Sequence, residues 1–206
     1  MHYRDDAENK RFQWGSYSSK RRWSSYWHQI DEGLAVNPRN CLIIGHGDGI
    51  VADVIAKYGV KMCSLDISGD LRPDVVGDVT AVPLLAKHYD VTICCQVLEH
   101  IEYRRVPQAL KELARITRLR VVLSVPDKSR SVDFSFRVSS LRFFRRIHLP
   151  SRRWHSFDGK HYWELGTLST PARDFRLLLE RYFTIEKEFQ VQEYAYHHFF
   201  VLAPSE

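Results

Sequence analysis

The sequence predicts an α/β fold: one doubly wound, mostly parallel sheet, helices on both faces, and an antiparallel C-terminal hairpin strand. Three observations predict it. Short apolar runs of strand length alternate with segments of helical period. A glycine-rich turn, Gly45-His46-Gly47-Asp48-Gly49, joins the first such run to a helical segment. Two strand-like runs, TIEKEFQV and HHFFVLAP, close the chain and lie near enough in sequence to pair.

Each element can be justified in order. Over 20–33, Trp23, Tyr26, Trp27 and Ile30 recur at helical spacing. Asn37-Pro38-Arg39-Asn40 then turns the chain into the buried strand CLIIG. IVADVIAKY after the glycines is helical, and Gly59 ends it. KMCSLDI, the short VVGDV and the apolar YDVTICC are strands. Val106, Leu110, Leu113 and Ile116 mark one face of an amphipathic helix, and RVVLSVPD is the next strand. Thr170-Pro171 is expected to open the last helix, with Thr170 as cap and Phe175, Leu178, Leu179 and Tyr182 as its buried stripe.

The 206 residues suit a single domain, 1–206, with a helical extension at 1–36 and a basic, aromatic insertion at 128–168. The net charge of +5 is uneven. Between Lys128 and Lys160 nine Lys/Arg face two Asp, a local +7, so the remainder sums to −2. Within this stretch, FSFRVSSLRFFRRIHLPSRRW at 134–154 interleaves arginines with aromatic and aliphatic residues. It reads as an amphipathic lid, as a surface for an acidic substrate or nucleic acid, or as a helix in peripheral contact with a membrane. No run reaches the roughly 18 apolar residues that a span needs. MHYRDDAENKRF lacks the apolar core of a signal peptide, so a cytoplasmic location is expected. Cys41, Cys63, Cys94 and Cys95 form no CxxC pair and sit in apolar runs; no metal is expected.

A strand, a glycine turn and a helix start together form a nucleotide-type site, because glycine allows positive φ and close backbone approach. The turn spells GxGxG; Ile50 stands where a dinucleotide fold wants its third glycine, which argues against a nicotinamide dehydrogenase. Asp66 ends the second strand about 20 residues on, the position of a ribose-binding acid. Asp78 follows the third strand.

At these residues the chain resembles the class I S-adenosylmethionine-dependent methyltransferases, and among them the small type 11-like enzymes. LIIGHGDG, SLDIS, PDVVGDVTAVP and YDVTICCQVLEHI carry the resemblance, in the family's order and spacing. HYWELG at 161–166 and the terminal YAYHHFFVL carry a softer likeness to one subgroup. The resemblance implies a Rossmann-like fold that binds S-adenosylmethionine and releases S-adenosylhomocysteine. It places Gly45, Gly47 and Gly49 against the methionine part, Asp66 on the ribose and Ile67 beside the adenine. Asp78 and Val79 would bind the adenine, and Gln96 would lie near the transferred methyl. His46, where relatives carry a smaller or acidic residue, would reach the cofactor's carboxylate, as would Tyr17, Arg22 or Tyr26 from the N-terminal helix.

Methyl transfer from a sulfonium is an in-line displacement, so alignment and exclusion of water do most of the work. A hydroxyl acceptor also needs a base. His161 and Glu164 are the candidates, with His100 behind them; His197 reads as a satisfied sheet histidine. The expected acceptor is a small molecule, with sugar, anionic, lipid-linked and natural-product forms open, methylated on oxygen or nitrogen. Two alternatives stand. One is an RNA methyltransferase, although the Asn/Asp-Pro-Pro-aromatic and Pro-Cys runs of such enzymes are missing. The other is a non-catalytic cofactor-binding module on the same fold.

Overall fold

The computed structural model describes residues 12, 15, 17–139, 141–149 and 153–205. Helix α1 (Lys20–Leu34) precedes β1 (Asn40–Ile44), α2 (Ile50–Lys57), β2 (Lys61–Asp66), β3 (Val75–Val76) and β4 (Tyr89–Cys95). Then come α3 (Val106–Ile116), β5 (Thr117–Pro126), β6 (Arg130–Val138), β7 (Leu141–Leu149), α4 (Ala172–Leu179), β8 (Phe183–Gln190) and β9 (His197–Pro204).

Seven strands form one sheet in the order β3-β2-β1-β4-β5-β9-β8. The first five run parallel, and β9 pairs antiparallel with both β5 and β8. The central strands are buried on both faces, which is why they read as unbroken apolar runs. One face packs Leu42, Ile44, Leu110, Leu113, Phe175 and Phe200 with α3 and α4. The other packs Tyr26, Ile43, Ile55, Ile93 and Phe199 with α1 and α2. All four cysteines are free thiols.

The order reverses between β1 and β4, so a crevice opens at their C-terminal ends. Gly45 N–H donates to Leu65 O at 2.8 Å, and Gln96 N–H to Ser124 O at 2.8 Å, so both loops continue their strands' pairing to the rim.

Two expectations are corrected. Residues 130–149 are not a helix but a two-stranded antiparallel hairpin, β6–β7. The cause is a period of two: Val132, Phe134, Phe136 and Val138 share one face, opposite Ile147, Arg145, Phe143 and Leu141. That face is exposed, with Phe136 at 67% and Leu141 at 78%. On the other side Arg146 pairs with Asp133 across the hairpin and ties it to the body through Gln190 Oε1, Val191 O and Gln192 O. Thr170 does not cap the last helix. Pro171 is the cap residue, and the Thr170 N–H donates to Thr167 Oγ1 at 3.2 Å. No helix of the described residues is long and apolar enough to cross a membrane.

Candidate active site

The glycine turn lies between β1 and α2, with φ of 81°, 57° and 76° at Gly45, Gly47 and Gly49. Side chains rarely tolerate this left-handed region. The two inner glycines differ in what surrounds them. A Cβ on Gly45 would stand 2.6 Å from Val97 Cγ2, so Gly45 lets the loop after β4 close against the turn. A Cβ on Gly47 would meet nothing nearer than Gly45 O at 3.9 Å and Tyr17 Oη at 4.0 Å. Packing therefore leaves room for a Cβ at Gly47, and its left-handed φ is what calls for glycine there.

Asp66 ends β2 beside this turn. One carboxylate oxygen accepts from His46 N–H at 2.9 Å and the other from Ser68 N–H at 2.9 Å. The acid thus pins the turn to the end of β2. Ile67 beside it is 73% exposed. The His46 Nδ1 atom is buried without a hydrogen-bond partner. Asp78 is fully engaged: Thr80 N–H and Oγ1 donate to Oδ1 at 2.8 Å each, and Arg105 donates to Oδ2 at 2.8 Å. Burial alone would raise its carboxyl, but these donors outweigh it and hold it low. Val79 is buried in the core. Gln96 has a left-handed φ of 57° and donates from Nε2 to Ser124 Oγ at 3.3 Å.

Helix α1 braces the turn. Tyr26 Oη donates to Asp48 Oδ2 at 2.7 Å, and burial followed by this bond raises the phenol well above its ordinary value. Tyr26 therefore acts on the loop, while Arg22 stacks on the Tyr17 ring at 4.0 Å, close to Gly47.

Opposite the turn, the chain leaves β4 through Leu98–His100 and meets the stretch 161–166. Tyr162 N–H donates to Glu99 O at 2.8 Å, and Trp163 Nε1–H to Leu98 O at 3.1 Å. His161 Nδ1 is 2.8 Å from Glu164 Oε1, and Tyr196 Oη donates to the same oxygen at 2.6 Å. Lys128 Nζ lies 2.5 Å from Glu164 Oε2. Burial would raise the Glu164 carboxyl, but these donors reverse it, to about 2. The bond to Glu164 in turn raises His161 above the usual imidazole value, against burial. His100 Nδ1 is 3.0 Å from Lys160 O, and its ring meets that of His161 edge-on at 5.0 Å. The structure thus joins the expected His161, Glu164 and His100 into one cluster. His197 stands apart, buried against Ser25 Oγ at 2.7 Å and lowered to about 3 by burial, as a satisfied sheet histidine should be.

Sequence reasoning missed Glu99, Lys128 and Tyr196. Glu99 is 0% exposed, neither carboxylate oxygen has a hydrogen-bond partner, and burial pushes its carboxyl up to about 8. Its only sequence signal is its place beside His100, which no local pattern distinguishes from a loop residue.

Residues 42–125 match the family described as Methyltransferase domain. Among curated proteins no sequence matches significantly. Solved structures share the fold. The N-methyltransferase NodS from Bradyrhizobium japonicum WM9, in complex with S-adenosyl-L-homocysteine, is 11% identical with a TM-score of 0.66, covering 97% of each chain. The PH0226 protein from Pyrococcus horikoshii OT3 is 18% identical with a TM-score of 0.62, covering 98% of this chain and 100% of its own. Magnesium protoporphyrin IX methyltransferase from Synechocystis PCC 6803, with bound S-adenosylmethionine, is 15% identical with a TM-score of 0.57, covering 100% of this chain and 87% of its own.

Proposed function

We propose that this chain, which carries a methyltransferase domain over residues 42–125, transfers the methyl group of S-adenosylmethionine to an oxygen or nitrogen of a small-molecule acceptor. One observation carries the reading. The left-handed glycine turn lies at the switch point, and at Gly47 its conformation rather than packing calls for glycine, which leaves room beside the backbone for a ligand.

The residues present fit such a cofactor. Gly45, Gly47 and Gly49 are assigned to its methionine part, with the buried Nδ1 of His46 and the Arg22–Tyr17 stack available to the carboxylate. Asp66 takes the ribose hydroxyls while keeping the turn in place. Ile67 supplies apolar cover for the adenine, and Val79 supports that wall from the core. Asp78 reaches the adenine through whichever oxygen Arg105 and Thr80 release. Gln96 lines the centre where the methyl moves.

When bound, the cofactor supplies a methyl carbon made electrophilic by its sulfonium, and the carbon–sulfur electron pair departs with the sulfur. The chain supplies orientation and proton handling. Glu164, ionised and anchored by Lys128 and Tyr196, fixes His161 through Nδ1. The acceptor hydroxyl or amine then meets His161 through Nε2, the nitrogen that Glu164 does not use. The insertion 128–168 forms this wall with its second half, because 161–166 docks on Leu98–His100.

Asp66→Ala tests the cofactor assignment. It should weaken binding of S-adenosylhomocysteine by about 1–3 kcal/mol, the usual loss for hydrogen bonds to a charged acceptor. Unchanged affinity in calorimetry would remove Asp66 from the ribose.

A further inference from the structure

We propose that Glu99, His100 and His161 bind a single divalent transition-metal cation on the acceptor side of the crevice. The donor atoms of these three residues lie within 4.8 Å of one another. Bonds of about 2.0–2.2 Å let one ion span donors up to about 4.4 Å apart, so the three need to draw in only slightly.

The hydrogen bonds around the cluster prepare it for a cation. Lys160 O can only accept, so His100 Nδ1 is protonated and donates to it at 3.0 Å. Glu164 receives the Tyr196 hydroxyl on Oε1 and Lys128 on Oε2 and so acts as an acceptor, to which His161 Nδ1–H donates at 2.8 Å. Both imidazoles therefore carry their lone pair on Nε2. A carboxylate or carbonyl behind the far nitrogen is the arrangement that orients metal-ligating histidines and raises their basicity.

Glu99 is the independent observation. A carboxyl group with 0% exposure and two unpartnered oxygens is costly in a folded protein, because buried polar groups are normally hydrogen-bonded or bound to a metal. Here it lies beside two imidazole lone pairs. Lys128 is engaged by Glu164.

Two imidazoles and one carboxylate favour manganese, iron, cobalt or zinc over magnesium or calcium, which prefer all-oxygen shells. Three protein ligands leave coordination positions open. This part of the inference rests on the methyl-transfer reading: His161 Nε2 would meet the acceptor through the cation, and the acceptor would carry an oxygen that binds it. A hydroxyl so bound loses its proton near neutral pH.

The test uses the full chain, stripped with a chelator, and Co2+ as the probe. Its visible absorption reports nitrogen and oxygen ligation directly. Saturable one-to-one binding is expected, weakened at least tenfold in Glu99→Gln and in His100→Ala. Glu99→Gln is isosteric and keeps a polar group in place, so its melting temperature without metal should hold. Absence of saturable binding to the wild type, or equal binding to both variants, overturns the site. Calorimetry with S-adenosylhomocysteine on the same stripped protein reads the cofactor site separately. Retained cofactor binding without Co2+ binding sinks only the metal inference; lost cofactor binding sinks the methyl-transfer reading.

Discussion

At the scale of single residues, the structure separates side chains that shape the crevice from those that would meet a ligand. Tyr26 belongs to the first kind. Its hydroxyl holds Asp48 inside the glycine turn at 2.7 Å. Tyr26→Phe should cost about 1–2 kcal/mol of stability, since it removes a hydrogen bond to a buried acid, and should weaken cofactor binding in parallel. Thermal melts and calorimetry on one preparation check both. A second cluster sets a pH dependence. Asp127 binds His198 Nδ1 at 2.7 Å, and Glu188 binds Nε2 at 2.8 Å. Burial would raise both acids, yet these bonds hold each at about 2. Burial would also lower His198, but its two acids outweigh this and raise it. The acids' contribution is present above their ordinary range and is lost as pH falls from about 4 towards 2. The histidine's contribution is full below about 6.5 and is lost as pH rises through its raised value. Melting temperature should therefore peak between about pH 4 and 6.5. His198→Gln should flatten the alkaline side of that profile; an unaltered profile would contradict the assignment.

At the scale of elements, the β6–β7 hairpin is the piece most loosely joined to the sheet. Among the described residues its hydrogen bonds to the body run from Arg146 to Gln190 Oε1, Val191 O and Gln192 O. Replacing residues 130–149 by a short glycine-serine linker should leave cofactor binding within about twofold, a difference of about 0.4 kcal/mol. Loss of binding would show that the hairpin helps to build the crevice. The hairpin also marks where the sequence was least legible. Strands β1, β4 and β5 announce themselves as apolar runs, and α3 as a 3.6-residue stripe, because each buries a definite face. β6 alternates cleanly, but on β7 Arg145 and Arg146 break the alternation of Leu141, Phe143 and Ile147, and the two strands bury little, so the pair does not announce itself as a hairpin. The candidate site divides in the same way. The glycine turn and Asp66 are local features and were legible. Glu99 and His161 are 62 positions apart, and only the docking of 161–166 on Leu98–His100 joins them.

At the scale of the whole molecule, helix α1 connects the far edge of the sheet to the crevice. Glu32 is 5% exposed, receives Lys187 Nζ at 2.9 Å on both oxygens and lies 3.6 Å from Arg120. Ser25 meets His197 on β9, and Tyr26 meets Asp48 in the turn. Glu32→Ala removes the partner of the half-exposed Lys187, while Arg120 keeps Glu186 and the carbonyl of residue 32, and should cost about 1.5–3 kcal/mol, the usual loss for hydrogen bonds to a charged group. Chemical denaturation measures this directly. The same helix then transmits its loosening to the turn, so cofactor affinity should fall with stability. The central claim remains that the turn at Gly47 cradles S-adenosylmethionine. Calorimetric titration of the ligand-stripped chain with S-adenosylmethionine and S-adenosylhomocysteine, beside Gly47→Leu, tests it most directly. One-to-one binding of both ligands to the wild type, abolished by a bulky side chain at the turn, is the predicted result. No binding to the wild type, or equal binding by the variant, would contradict it.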